Sequence, residues 1–167
     1  PRTVTQPIVF NGENYFTVWL GDGVSHSGFL SPDAQLDDSS IKDISEIDLP
    51  FFPVKILFDG TDYLLIGITP VQEGHDYNNN EISVMKILSD GRTTDQDVLK
   101  IGIIPKYTDF HASFDGESYN FFLNDIEDLS DCGEYEDRVI WVKVNKNGEI
   151  VSRNCVSSYK ELPYNFS

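Results

Sequence analysis

The sequence has little positive charge and little sulfur, and it lacks any long apolar run. Twelve Lys and Arg stand against 28 Asp and Glu, which gives a net charge of −16. A polyanion would meet net repulsion, so this charge argues against nucleic acid and against an anionic membrane surface as partners. No apolar stretch is long enough to cross a bilayer. The chain opens on Pro1 without a signal peptide, so we expect a processed or excised product.

Helical periodicity is also missing, because no long segment has apolar residues at three- and four-residue spacing. The aromatic residues are mostly Phe and Tyr, 11 and 8 of them, and they occur alongside many Val and Ile. These residue types favour strands, and 12 Gly and 8 Pro supply frequent turns. The composition therefore predicts an all-β fold.

One six-residue pattern, Phe, Asn or Asp, Gly, two free positions and Tyr, occurs three times. It reads FNGENY at 10–15, FDGTDY at 58–63 and FDGESY at 114–119. Asn-Gly and Asp-Gly tolerate the positive φ of a tight hairpin turn. The Phe and the Tyr stand on either side of that turn, so we expect them to pair across the two strands.

More of the unit recurs than this turn. An apolar segment precedes each motif, an apolar run follows it, and a polar loop and a third strand come next. A second tight turn lies at the same place in each unit, at 31–35, 89–92 and 145–149. The second strand is apolar at nearly every position, so both of its faces must be covered. Four-stranded sheets of about 50 residues that stack on like sheets are typical of β-propeller blades.

This pattern resembles the blades of secreted bacterial β-propeller proteins that carry FDGTNYLVVW-type repeats. The resemblance is best in the first unit, where Trp19 stands at the strand position of the family's Trp, whereas Gly67 and Leu123 depart from it. It implies three four-stranded antiparallel blades that form part of a larger or oligomeric propeller. We assign 1–50, 51–106 and 107–160 to the blades and 161–167 to the start of a following strand or a closure segment. A β-sandwich with coincidental turns is the alternative fold.

A binding site is expected at the end of the units where the loops vary, because the turns at the other end are uniformly short. These loops are 21–25, 69–80 and 124–137. Lys55 and His111 occupy matching positions in two units and could line the mouth of a central channel. The candidate ligand-binding residues are Lys55, His75, Asp76, Tyr77, His111 and Tyr135.

The loop of the third unit is rich in carboxylates, of which Asp125, Asp128 and Asp131 are candidate metal ligands. Calcium prefers several oxygen ligands, and such a loop could supply them. The EF-hand spacing is absent, and a solvated acidic loop is the alternative. No Cys and His spacing supports a zinc site.

Cys132 and Cys155 are the only cysteines, and both fall in the third unit. Folding its last hairpin about Asn147-Gly148 places Cys155 across from about Ile140, near the loop that contains Cys132. We therefore predict a Cys132–Cys155 disulfide, with two free thiols as the alternative. A disulfide requires an oxidising compartment, which favours an exported protein, extracellular or at the cell surface.

The leading hypothesis for function is a non-catalytic extracellular module for binding or assembly, completed by other chains or further copies. One alternative is a lectin in which Tyr77, Tyr135 and Trp19 stack on a glycan. The other is a polysaccharide hydrolase or lyase with carboxylates as acid and base. No Gly-x-Ser-x-Gly motif and no phosphate-binding loop is present, and no pair of carboxylates is distinguished by its spacing.

Overall fold

A computed structural model of the protein describes residues 7–21, 24–43, 51–73, 76–93, 98–106, 108–124 and 139–157. These residues form an all-β fold, as the composition predicts, with one 3-10 turn at Asp38–Ser40 and no α-helix. No helix within these ranges is long and apolar enough to span a membrane. The strands are β1 (Ile8–Phe10), β2 (Tyr15–Gly21), β3 (Val24–Leu30), β4 (Lys42–Asp43), β5 (Phe52–Phe58), β6 (Tyr63–Glu73), β7 (Asp76–Ile87), β8 (Leu99–Pro105), β9 (His111–Phe114), β10 (Ser118–Leu123), β11 (Val139–Asn145) and β12 (Ile150–Ser157).

The strands form three four-stranded sheets, each made of strands that follow one another in the chain. The first sheet contains β1 to β4, the second β5 to β8 and the third β9 to β12. In every strand pair whose register is defined, the strands are antiparallel, as expected for strands joined by short turns. The prediction of three four-stranded antiparallel sheets is therefore confirmed.

The repeated motif forms the first hairpin of every sheet. Phe10 lies opposite Tyr15, and the same pairing joins Phe58 to Tyr63 and Phe114 to Tyr119. The ring centroids of these pairs are 5.0, 5.2 and 5.0 Å apart. The motif glycines have φ of 105°, 92° and 101°, a conformation that side chains with a Cβ rarely adopt. Both expectations, the tight turn and the cross-strand aromatic pair, are confirmed.

The second turn also has one geometry in all three sheets. In the second and third sheets its left-handed residue is glycine, Gly91 with φ 84° and Gly148 with φ 82°. In the first sheet this residue is Ala34, with φ 59°. In each turn, the N–H of this residue donates to the carbonyl oxygen three positions earlier, at 2.9 to 3.0 Å. Ala34 is thus an alanine in a position that favours glycine.

The chain divides into two compact units, and the division falls within the second sheet. The first unit comprises Pro1–Thr69 and Ser83–Leu99. Its core joins the first sheet to part of the second, and Phe16 stacks on Tyr63 with ring centroids 4.1 Å apart. The buried residues of this core are Phe16, Val18, Phe51, Ile56, Tyr63, Leu65, Met85 and Ile87.

The second unit comprises Pro70–Ile82 and Lys100–Ser167. Its buried side chains include Phe121 and Val142, which lie opposite each other on β10 and β11. Arg153 on β12 extends to β8, where its Nη1 donates to the carbonyl oxygen of Ile101 at 2.8 Å. Burial lowers the pKa of Arg153, because a desolvated guanidinium is less stable in its charged form.

One expectation about the loops is wrong. Residues 69–73 and 76–80 lie in strands rather than in a loop, because β6 continues to Glu73 and β7 starts at Asp76. These strands have 11 and 12 residues, whereas β2 and β3 have 7 each. The polar composition of this stretch indicated a loop, yet backbone pairing between neighbouring strands does not require apolar side chains.

Candidate functional site

Lys55 and His111, the two candidates for a channel mouth, occupy equivalent positions. Lys55 on β5 lies opposite Ile66, and His111 on β9 lies opposite Phe122. Each stands three residues before the Phe of its motif, so the repeat places both at the same level of their sheets. Lys55 is half-buried, whereas His111 is exposed. The two residues belong to different compact units, so a shared channel mouth stays a prediction.

The remaining candidates divide into two groups. Asp76 and Tyr77 lie at the start of β7, in a strand rather than in the predicted loop. The others lie outside the described residues, and their roles stay predictions: His75, Asp125, Asp128, Asp131, Cys132 and Tyr135. Within the described ranges, no three His, Cys, Asp or Glu side chains lie close enough together to hold a metal ion.

Cys155 lies on β12 directly opposite Ile140. This register is the one expected from folding the last hairpin about Asn147-Gly148. Cys132 lies outside the described residues, so the Cys132–Cys155 disulfide stays a prediction.

Trp19, the candidate stacking residue on β2, takes part in packing. Its ring lies over Gly28, where an added Cβ would stand 3.1 Å from the Trp19 side chain. The same ring stacks with His26, with centroids 5.5 Å apart. The absence of a side chain at Gly28 therefore makes room for the indole of Trp19, its diagonal neighbour on the adjacent strand.

The first residue after each motif Phe holds its turn by hydrogen bonds. Asp59 Oδ1 accepts from the N–H groups of Thr61 and Asp62 at 2.9 and 2.8 Å. Asn11 and Asp115 make the same pair of bonds in their own turns. A side-chain oxygen that accepts from the backbone two and three residues later stabilises such a turn. These residues are part of the scaffold, and their chemistry explains why the motif allows Asn or Asp.

Asp115 also belongs to a polar network that the sequence pattern did not reveal. Asn120 Nδ2 donates to Asp115 Oδ2 at 2.9 Å, and Trp141 Nε1 donates to Asn120 Oδ1 at 2.9 Å. Lys143 Nζ lies 4.0 Å from Asp115 Oδ2. The bond from Asn120, together with the two backbone bonds of the turn, lowers the pKa of Asp115 to about 2. The sequence feature that could have indicated this network is Asn120, which stands where the other units have the apolar residues Phe16 and Leu64.

This network lies on one face of the third sheet. Phe122 pairs with both His111 and Trp141, and the rings of Phe122 and Trp141 are nearly parallel, 5° apart in orientation. Directly opposed residues share a face, so the register defines the set. We call it the Trp141 face: His111, Ser113, Asn120, Phe122, Trp141, Lys143, Ser152 and Asn154.

The first sheet has an exposed apolar face. Tyr15 pairs with Phe10 and with Leu30, which in turn forms a bridge to Leu36. Ile8 shares this face, because it pairs with Thr17, two residues after Tyr15. The exposed large hydrophobic side chains of this group define what we call the Tyr15 face: Ile8, Phe10, Tyr15 and Leu36.

Neither a protein-family model nor a curated protein matches this sequence. Function is therefore inferred from the repeat, the strand ends and these two sheet faces.

Proposed function

We propose that this chain is a β-propeller-type module that is exported and binds a partner protein without catalysing a reaction. Its three sheets would be blades, completed by other chains or further copies, as the resemblance to secreted propeller repeats implies. The observation that supports the proposal is the contrast between the two ends of the hairpins. Both kinds of tight turn keep the same local geometry in every sheet, whereas the connections between the second and third strands differ from sheet to sheet.

This difference is large. In the first sheet Gly21 pairs with Val24, so two residues connect the strands. In the second sheet the hairpin extends to Glu73 and Asp76, well beyond the level of the first. In the third sheet 15 residues, 124–138, separate Leu123 from Val139. Loops that vary between the same two strands of a repeated scaffold are typical of a binding surface.

The experiment removes this variation from the second sheet while keeping its scaffold. Residues 71–79 are replaced by Asp-Gly, the dipeptide that connects Gly21 to Val24, which keeps an equal number of residues in both strands. We expect the variant to melt within a few degrees of the wild-type chain and to lose binding of the partner. A control variant, Asp90→Asn, changes only the scaffold turn at the opposite end. It should keep both the melting temperature and the binding of the partner.

Glycan arrays with and without calcium test the other ligand class. Glycan binding that is abolished by chelation would show that the ligand is a glycan bound in a calcium-dependent manner, rather than a partner protein. Turnover of any glycan would contradict the non-catalytic assignment and support a hydrolase or lyase. A replaced hairpin that fails to fold would contradict the division into scaffold and binding end.

A further inference from the structure

The Tyr15 face of the first sheet is exposed where the second sheet is buried. Ile8 and Ile56 both stand two residues before the Phe of their motifs, yet these residues are 54% and 4% exposed. Tyr15 and Tyr63 close equivalent turns, and they are 37% and 1% exposed. The same residue types at the same positions thus differ only in whether another sheet covers them. An exposed apolar surface of this kind marks an interaction site.

The first unit itself shows what covers such a face. Over the second sheet lies the opposite face of the first sheet, and its Phe16 stacks on Tyr63 with centroids 4.1 Å apart. Asn11, in the motif turn, donates from Nδ2 to the Tyr63 hydroxyl at 2.8 Å. Val18 belongs to the same buried cluster as Ile56. The contact therefore combines aromatic and aliphatic packing with one hydrogen bond from a turn residue to the motif tyrosine.

The Trp141 face of the third sheet carries the equivalent positions. Asp115 corresponds to Asn11, and its carboxylate could accept a hydrogen bond from a tyrosine hydroxyl. Phe122 corresponds to Val18, so it would lie over Ile8. Trp141 stacks beside Phe122, and large aromatic residues of this type commonly anchor interfaces.

We infer that copies of this chain associate head to tail, with the Tyr15 face of one copy against the Trp141 face of the next. Tyr15 then donates its hydroxyl hydrogen to Asp115 of the other copy, and Phe122 covers Ile8. The inference rests on the propeller-type repeat of the proposed function, and it specifies the partner as a second copy. A heterologous contact of this kind makes a closed ring when the rotation closes and a filament when it does not.

Charge gives the association a characteristic salt dependence. Two chains of net charge −16 repel each other, and salt screens this repulsion without weakening apolar packing. Sedimentation velocity should therefore give a mass above 18.9 kDa that increases between about 0.05 M and 0.5 M NaCl. Tyr15→Phe, which removes only the hydroxyl, should weaken association about tenfold, the effect of one charge-assisted hydrogen bond.

Two variants, each with one face blocked, test the head-to-tail geometry. Ile8→Glu places a charge on the Tyr15 face, and Phe122→Glu places one on the Trp141 face. Each variant alone should be monomeric, whereas a 1:1 mixture should form a heterodimer of twice 18.9 kDa through the two intact faces. Asn154→Glu, at an exposed position of the Trp141 face, replaces Phe122→Glu if that variant does not fold.

Phe52→Glu is the matched control, because Phe52 is 61% exposed and lies outside both faces. It should leave the mass unchanged. A wild-type chain that stays at 18.9 kDa in high salt would overturn the inference, and so would a mixture that remains monomeric. Association abolished by Ile8→Glu but kept by Phe122→Glu would mean that two Tyr15 faces pair with each other. None of these results bears on the hairpin replacement, so the two proposals can fail separately.

Discussion

At the scale of single residues, the repeat requires the same left-handed backbone conformation at three positions, which are occupied by different amino acids. The left-handed position of the second turn is Gly91 or Gly148 in two sheets and Ala34 in the first. A left-handed backbone brings Cβ close to a carbonyl oxygen, at a cost of roughly 1 kcal/mol. Ala34 is exposed, so its methyl group gains little from packing in return.

Ala34→Gly should therefore stabilise the protein by about 0.5 kcal/mol or more, although glycine gains entropy in the unfolded chain. Gly148→Ala, the reverse change in the equivalent turn, should destabilise it by about 1 kcal/mol. Urea unfolding of both variants measures these differences. A lower midpoint for Ala34→Gly would show that the φ of 59° carries no strain.

The carboxylate of Asp115 predicts a specific pH dependence. Its pKa is lowered to about 2, chiefly by the bond from Asn120, so the folded state favours the ionised form. The resulting stability is present above the pKa of the unfolded chain, near 4, and is lost as the pH falls toward 2. As the pH falls between these values, the melting temperature of the wild-type chain should decrease more steeply than that of Asp115→Asn.

Asparagine is a suitable replacement, because Asn11 makes the same turn bonds in the first sheet. Asp33→Asn, which removes an exposed carboxylate from another turn, controls for the change in net charge. Equal slopes for the wild-type chain and Asp115→Asn would assign the low-pH transition to other groups.

At the scale of the strands, one departure from the repeat has a packing reason. Gly67 stands four residues after the motif Tyr, where the first and third units have Trp19 and Leu123. A Cβ at Gly67 would clash with Phe51 Cδ2, so the Phe51 ring occupies this space. The side chain that fills the position thus comes from the residue preceding β5 rather than from β6 itself.

Gly67→Ala should destabilise the protein by about 1 to 3 kcal/mol, because the Phe51 ring must move within a packed core. Phe51→Ala alone should cost about 3 kcal/mol through the cavity it leaves. The double variant should lose less stability than the sum of the losses of the two single variants, because removing the Phe51 ring also removes the clash. Additive losses would show that Phe51 and Gly67 do not compete for this space.

Gly28→Ala is the comparison variant, because an added Cβ would stand 3.1 Å from the Trp19 ring. It should reduce stability less than Gly67→Ala does.

At the scale of the whole molecule, the predicted disulfide would join a long connection to a described strand. Cys155 lies opposite Ile140 at the end of the third sheet where the connection 124–138 begins and ends. A bridge from Cys132 would close a loop of moderate length and stabilise the fold by roughly 3 kcal/mol. Mass spectrometry of a non-reduced digest should recover a cross-linked peptide pair, and reduction should lower the melting temperature. Two thiols that react with iodoacetamide in the native protein would contradict the bond and the oxidising compartment inferred from it.

The sequence alone determined the hairpins and their register. Asn-Gly and Asp-Gly select tight turns, and a turn fixes which residues lie opposite each other, so the pairing of Phe10 with Tyr15 follows from the motif itself. The opposition of Cys155 and Ile140 depends on the last hairpin together with a register shift of one residue between Lys143 and Val144. These features depend on residues that are close in the chain, and local chemistry is sufficient to specify them.

Only the tertiary structure decided which sheet faces are covered and which polar groups meet. Ile8 and Ile56 occupy the same place in the repeat, and their different burial depends on a neighbouring sheet rather than on their own segments. The network of Asp115, Asn120 and Trp141 likewise joins residues from a turn and two strands. The polar composition of 69–80 wrongly indicated a loop, because β6 extends to Glu73 and β7 begins at Asp76. Contacts between segments distant in the chain have no local signature, so the residues of one segment alone do not specify them.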